Sequence, residues 1–80
     1  MFTETQWKLQ KDFELLNYQE ALDFVNKVWE ISEEQDHHPD ILLHGYKKVR
    51  VTTITHSEGK ITQKDYDIAQ KIEKIYNTNN

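Results

Sequence analysis

Glu33-Glu34-Gln35-Asp36-His37-His38-Pro39-Asp40 places two adjacent histidines among four carboxylates, beside the only proline of an 80-residue chain. Histidine is the side chain that exchanges protons near neutral pH without help from its surroundings. Proline stops a helix and pushes the residue before it towards extended geometry. A helix should therefore end here and hold two imidazoles at fixed angles. Unsatisfied carbonyls at a helix C-terminus carry partial negative charge and favour an imidazolium. Glu33 lies one turn before His37 on the same face and could fix the orientation and tautomer of that ring. Such an arrangement suits a general acid, or an acid and a base side by side. It equally suits a polar helix end whose histidines only cap carbonyls, and these residues alone leave the two readings level.

Other chemistries fit less well. His37, His38, His56 and a carboxylate could supply metal ligands. Helix-borne zinc pairs sit at i and i+4, however, whereas adjacent histidines diverge, so a metal is not expected. Ser32 and Ser57 lie outside any nucleophile-elbow context. The chain has no cysteine, which removes disulfides and thiolate metal sites. A net charge of −4 argues against non-specific nucleic-acid binding, which depends on Lys and Arg neutralising phosphates. Lys47, Lys48 and Arg50 read as a solvated hairpin end. No apolar run approaches the roughly 20 residues that span a bilayer, and Met1-Phe2-Thr3-Glu4 has no apolar signal core. A soluble cytoplasmic protein with no membrane partner is expected.

The elements that must position the histidines follow from periodicity. Residues Phe2 to Leu16 read as extended, with Phe13 and Leu15 alternating with Asp12 and Glu14 in the period of a half-buried strand. Phe2-Thr3-Glu4 forms a short partner strand before a turn within Thr5 to Lys8, and Trp7 is expected to cover the rim of the core. Asn17-Tyr18-Gln19-Glu20 has the form of a capping box, so a helix should run from Tyr18 to about Gln35. Tyr18, Ala21, Leu22, Val25, Val28, Trp29 and Ser32 mark its apolar face, widened by Phe24 and Ile31. Ile41-Leu42-Leu43 is a short strand, and Tyr46 to His56 a longer one rich in β-branched residues. After a loop over Ser57 to Lys60, Thr62-Gln63-Lys64-Asp65 is a second capping box. It opens a helix from Gln63 to about Tyr76, with Asn77 to Asn80 as a frayed tail. Residues 1–80 thus form one α+β domain of order β-β-α-β-β-α, a four-stranded antiparallel sheet with both helices on one face. So small a chain buries only about 60–70% of its unfolded surface. Its uncovered sheet edges invite pairing between subunits, and a homodimer or homotetramer is expected.

Glu33-x3-His37-His38-Pro39, then Tyr46, His56 and Asp65, closely resemble the signature of the pterin-4a-carbinolamine dehydratases, also called 4a-hydroxytetrahydrobiopterin dehydratases. Lys8 to Glu14 with Ala21 to Val25 resembles that family's second strand and first long helix. Thr55-His56, Gly59 and Thr62-x2-Asp65-x3-Ala69 resemble its last strand, loop and closing helix. The similarity covers nearly the whole chain. The sequence starts at about the family's first strand, so the family's usual N-terminal helix is expected to be lacking. Pro39 to Tyr46 is one residue longer than in many relatives, with Gly45 as the extra residue.

The resemblance implies removal of water from 4a-hydroxytetrahydropterin to give quinonoid dihydropterin, in recycling the cofactor of aromatic amino-acid hydroxylases. The substrate would be a small pterin, no cofactor would be required, and His37, His38 and His56 would be the catalytic residues. Glu33 would orient His37 and Pro39 would fix the angle between the rings. Asp65 is divided between a capping role and a functional one. The competing reading is a non-catalytic dimerisation or assembly module of the same fold. The hairpin register bears on the site. Turn chemistry alone puts the turn at His44-Gly45. The resemblance puts it at Lys47-Lys48, and a β-bulge at Gly45 would then set His38 opposite His56. The second register is the expected one. Ten residues of strand, at roughly 3.3 Å each, would keep Tyr46 far from His56 and leave it structural or interfacial.

Overall fold

A computed structural model describes residues 1–78 of the chain. The elements are β1 (Thr3–Thr5), β2 (Lys8–Glu14), α1 (Tyr18–Gln35), β3 (Asp40–His44), β4 (Lys48–Thr53) and α2 (Gln63–Thr78). The strands form one antiparallel sheet in the order β1-β2-β4-β3, and both helices pack on one face. This is the expected β-β-α-β-β-α architecture. Among the described residues no helix is long and apolar enough to cross a membrane.

Alternation along the strands decides which face is covered. Leu9 and Phe13 of β2 and Val49, Val51 and Thr53 of β4 are buried beneath the helices. Gln10, Asp12, Arg50 and Thr52 lie on the opposite face, where Arg50 grips both oxygens of Asp12 at 2.8 and 3.2 Å. Phe13 is the hub of the core. Its ring packs against those of Phe24 and Tyr76, each with its centroid 4.9 Å away, and of Phe2 at 5.8 Å. Burying each such side chain contributes about 1.5–3 kcal/mol.

Helix α1 spans the predicted residues and is capped as predicted: Asn17 Oδ1 accepts the Glu20 backbone N–H at 2.9 Å. Its buried stripe is rotated from the predicted one. Ala21, Phe24, Val28, Ile31 and Ser32 are buried, whereas Tyr18 and Trp29 are more than half exposed. Phe24 and Ile31 are part of the core itself, and Phe24 packs directly on the aromatic hub. Trp7 covers no core. It lies on the β1–β2 turn, where Gln6 and Trp7 both have positive φ (47° and 74°), and it is 81% exposed. Helix α2 continues through Asn77 and Thr78, which were expected to fray; Asn79 and Asn80 lie outside the described residues.

The β3–β4 hairpin takes neither predicted register. Asp40 pairs with Thr52, Leu42 with Arg50 and His44 with Lys48. The turn is the three residues Gly45, Tyr46 and Lys47, with φ +56° at Gly45 and +54° at Tyr46 and a 2.6 Å bond from the Lys47 N–H to the Gly45 carbonyl. Gly45 therefore serves the turn and is not a bulge within the strand. Two consecutive left-handed residues reverse the chain where one bulge was expected. Continued past Asp40, this register sets His38 level with Ile54, so the predicted His38–His56 pairing does not occur. Strand β4 also ends early, at Thr53.

Candidate functional site

Helix α1 ends in a Schellman arrangement that aims both histidines. Asp36 adopts the left-handed conformation (φ 52°, ψ 43°), and the His37 N–H reaches back to the Ser32 carbonyl at 3.1 Å. The Asp36 N–H bonds the Glu33 carbonyl at 3.4 Å. This reversal turns the chain off the helix at His37. Pro39 then stands between His38 and the first residue of β3, in line with the extended geometry it imposes on its predecessor.

The third histidine comes from the other side. Beyond β4, Thr55 pairs with Lys60 in an isolated bridge, and Gly59 N–H bonds the Thr55 and His56 carbonyls at 2.9 and 3.2 Å. Gly59 has φ +66°, which glycine adopts without strain. His56 is thus the first residue of a tight loop, and not the last of a strand. Even so, the two chain segments converge. A cavity of about 240 Å³ is lined by Asp36, His37, His38, Ile54, Thr55, His56, Ser57 and Lys64. All three predicted histidines meet there, at one end of the sheet.

Asp65 is the anchor beneath them. It is completely buried, and both oxygens are engaged twice. Oδ1 accepts from Thr53 Oγ1 and from His37 Nε2, each at 2.7 Å. Oδ2 accepts from Thr55 Oγ1 at 2.7 Å and from the Thr62 backbone N–H at 2.8 Å. The last bond is the reciprocal arm of the α2 capping box. The capping and site-directed readings of Asp65 are therefore both realised, by different oxygens. Burial opposes its charge, but the hydrogen bonds from Thr53, His37, the Thr62 N–H and Thr55 outweigh that cost. They hold the carboxyl below the usual carboxylate range.

An ionised carboxylate can only accept, so the proton between His37 and Asp65 sits on Nε2. The His37 ring is 12% exposed, and its Nδ1 has no partner among the described residues. Glu33 was expected to orient His37. It instead pairs with His38, whose Nε2 lies 2.8 Å from Glu33 Oε2, with both side chains more than half exposed. The Schellman turn is the cause: it lifts His37 off the helix face that carries Glu33. His56 makes no side-chain hydrogen bond among the described residues.

The supporting threonines were not singled out from the sequence. Thr53 and Thr55 continue the inward-facing alternation of Val49 and Val51, and a hydroxyl at a core position of a strand needs a buried acceptor. That pattern was the available signal. Asp36 and Lys64, which also line the cavity, carry no comparable sequence signal. Tyr46 lies at the opposite end of β3 and β4 and is 64% exposed. Among the described residues, no group of three or more His, Cys, Asp or Glu side chains is placed to hold a metal ion.

Comparison with known proteins agrees with this fold. A solved structure from Brucella melitensis, described as a transcriptional coactivator/pterin dehydratase, superposes with a TM-score of 0.86 at 27% identity, covering 94% of this chain and 81% of that one. A pterin dehydratase-like protein identified as a RuBisCO assembly factor in the alpha-carboxysome shares the fold, with a TM-score of 0.75 at 19% identity, covering 95% of this chain and 87% of that one. A Sulfolobus acidocaldarius protein bearing the pterin-4-alpha-carbinolamine dehydratase name is 46% identical over 68 residues, 85% of this chain and 74% of its own length. A Picosynechococcus protein of the same name is 47% identical, again over 85% of this chain and over 73% of its own. The family model for pterin 4 alpha carbinolamine dehydratase matches residues 2–75, and the chain belongs to that family.

Proposed function

We propose that this protein removes water from a 4a-hydroxytetrahydropterin to give the quinonoid dihydropterin, by histidine general acid–base catalysis in the cavity at the end of α1. One observation carries the reading: His37 is anchored through Nε2–H to a buried, ionised Asp65 in a wall shared with His38 and His56. That bond leaves Nδ1 as the basic nitrogen of His37.

The reaction breaks the bond between ring carbon 4a and its hydroxyl and removes the proton on the neighbouring ring nitrogen. His37 Nδ1 takes that proton, and the resulting imidazolium is stabilised by Asp65. His56, uncommitted within the chain, delivers a proton to the departing hydroxyl, which leaves as water. One proton enters the base and one leaves the acid, so the pair returns to its starting state by exchange with solvent. His38, held by Glu33, flanks the reacting edge. No cofactor enters these steps.

The test is to generate the 4a-hydroxypterin with an aromatic amino-acid hydroxylase and follow its optical decay. Addition of this protein should accelerate it, and His37→Ala and His56→Ala should each abolish most of the acceleration. No acceleration by the wild-type protein would sink the reading. A dimerisation or assembly role is the second reading, motivated by the double description of the Brucella relative. It needs the surfaces and not the histidines, so partner capture unchanged in His37→Ala, with no dehydration, would select it.

A further inference from the structure

The four donors that converge on Asp65 are not equivalent. Oδ2 is served by the Thr62 backbone N–H at 2.8 Å and the Thr55 hydroxyl at 2.7 Å. The hydroxyl has a fixed direction, because an ionised carboxylate only accepts and the single hydrogen of Thr55 Oγ1 must point to it. The 2.6 Å bond between Thr55 Oγ1 and Thr62 Oγ1 is therefore donated by Thr62. The Lys64 backbone N–H closes the chain by donating to Thr62 Oγ1 at 3.3 Å. Polarity runs one way, from the first turn of α2 through two hydroxyls to Oδ2, and each bond polarises the next.

Oδ1 is different, because Thr53 Oγ1 and His37 Nε2 share it, each at 2.7 Å. Of the four donors, only the imidazole can take up a second proton and so change its strength. Thr53 is 1% exposed and has no water to turn to. Two donors on one oxygen draw on the same electron density, so each bond weakens the other. Packing alone does not ask for a hydroxyl here. Thr53 continues the buried row of Val49 and Val51 in β4, where valine has the same shape and no polar group to desolvate.

We propose that Thr53 is a positioning residue: by sharing Oδ1 it limits how tightly Asp65 holds the imidazolium of His37, and so lets that base release its proton between turnovers. The role in turnover rests on the dehydratase reading above; the sharing of the oxygen does not. With the ring neutral, Thr53 and His37 divide Oδ1. When Nδ1 takes a proton, the Nε2–H bond strengthens, and the Thr53 hydroxyl keeps part of the same oxygen. The other ionisable groups that face the ring are Asp36, His38, His56 and Lys64 on the cavity wall, with Glu33 behind His38. None of these side chains bonds Asp65 among the described residues. Thr53 therefore acts on the base through the carboxylate alone.

Thr53→Val removes the hydroxyl, keeps the shape and leaves Oδ1 to His37. The Nε2 proton resonance of His37, read by proton–nitrogen NMR on the protein without substrate, should move downfield as that bond strengthens. The acid limb of kcat/KM against pH should move up by about half a unit to one unit, because the base holds its proton to higher pH. Thr53→Ala, with less bulk and no hydroxyl, should repeat the downfield displacement. Thr53→Ser restores the hydroxyl and should return both readouts to their wild-type positions. Thr55→Val takes a donor from Oδ2 and should displace the resonance less than Thr53→Val does. A resonance that stays in place or moves upfield without the Thr53 hydroxyl overturns the proposal. So does an equal displacement in Thr55→Val, or a Thr53→Ser that behaves as Thr53→Val. The NMR readout needs no dehydration, so a chain without that activity still decides the sharing of Oδ1. In an active enzyme, a displaced resonance with an unmoved acid limb overturns the role in turnover.

Discussion

His37 Nε2 lies 2.7 Å from Asp65 Oδ1 although 28 residues separate them in the chain. One end of this bond is the residue that leaves helix α1, and the other is the third residue of helix α2. The two helices are thereby pinned to each other and to the end of β4, because the same carboxylate also holds Thr53 and Thr55.

Asp65→Asn keeps the volume but places an amide N–H₂ among four donors and removes the charge that fixes the His37 tautomer. We expect kcat to fall by about one to two orders of magnitude, in line with the loss of an oriented general base, with a smaller change in KM. Steady-state dehydration kinetics on the folded variant check this. Asp65→Ala, which leaves all four donors facing a void, should cost about 3 kcal/mol or more and is best read by denaturant unfolding.

Acid should erase the stability that Asp65 contributes. Its carboxyl titrates lower in the folded chain than in the unfolded one, so the folded state is favoured wherever the unfolded carboxylate is ionised. The contribution is complete above the ordinary carboxylate value, about pH 4. It is lost as pH falls through the depressed folded value. The melting-temperature gap between wild type and Asp65→Asn should therefore be widest near neutrality and should narrow as pH falls below about 4. A gap that widens in acid would contradict the assignment.

The Glu33–His38 pair should contribute little to stability, because both side chains are more than half exposed. A double-mutant cycle on Glu33→Gln and His38→Gln, read by urea unfolding, should give a coupling of about 0.2–1 kcal/mol. The coupling should shrink further in about 1 M salt, where the screening length is about 3 Å.

Trp7 marks a position where the backbone and the side chain disagree. The two-residue β1–β2 turn requires positive φ at both central residues, for which glycine is suited. Trp7 buries almost nothing in return. Trp7→Gly should raise stability by about 0.5–1 kcal/mol. For a domain of this size that is several degrees in melting temperature, at about 4–8 °C per kcal/mol. Calorimetry checks the gain, and dehydration activity should not change.

Much of this protein is legible in the order of its residues. Local signals determined the elements: strand alternation at Phe13 and Leu15, the Asn17 cap, the Thr62–Asp65 box and the helix-ending Asp36 to Pro39. Each depends on contacts within a few residues, which the sequence states directly. It also nominated His37, His38 and His56, and the fold brings them to one cavity.

Pairing across distance was not legible. A turn at His44-Gly45 competed with a turn at Lys47-Lys48 and a bulge at Gly45, and the chain takes neither; its register depends on how β4 aligns with β2 as well as with β3, which no local pattern contains. The partner of Glu33 changed for the same kind of reason, since a single left-handed residue at Asp36 moved His37 off the helix face and left His38 within reach. Asp65 looked like a helix cap or a site residue by turns. Only the packing of α2 against β4 showed that one buried carboxylate, with four hydrogen-bond donors around it, has the capacity to be both.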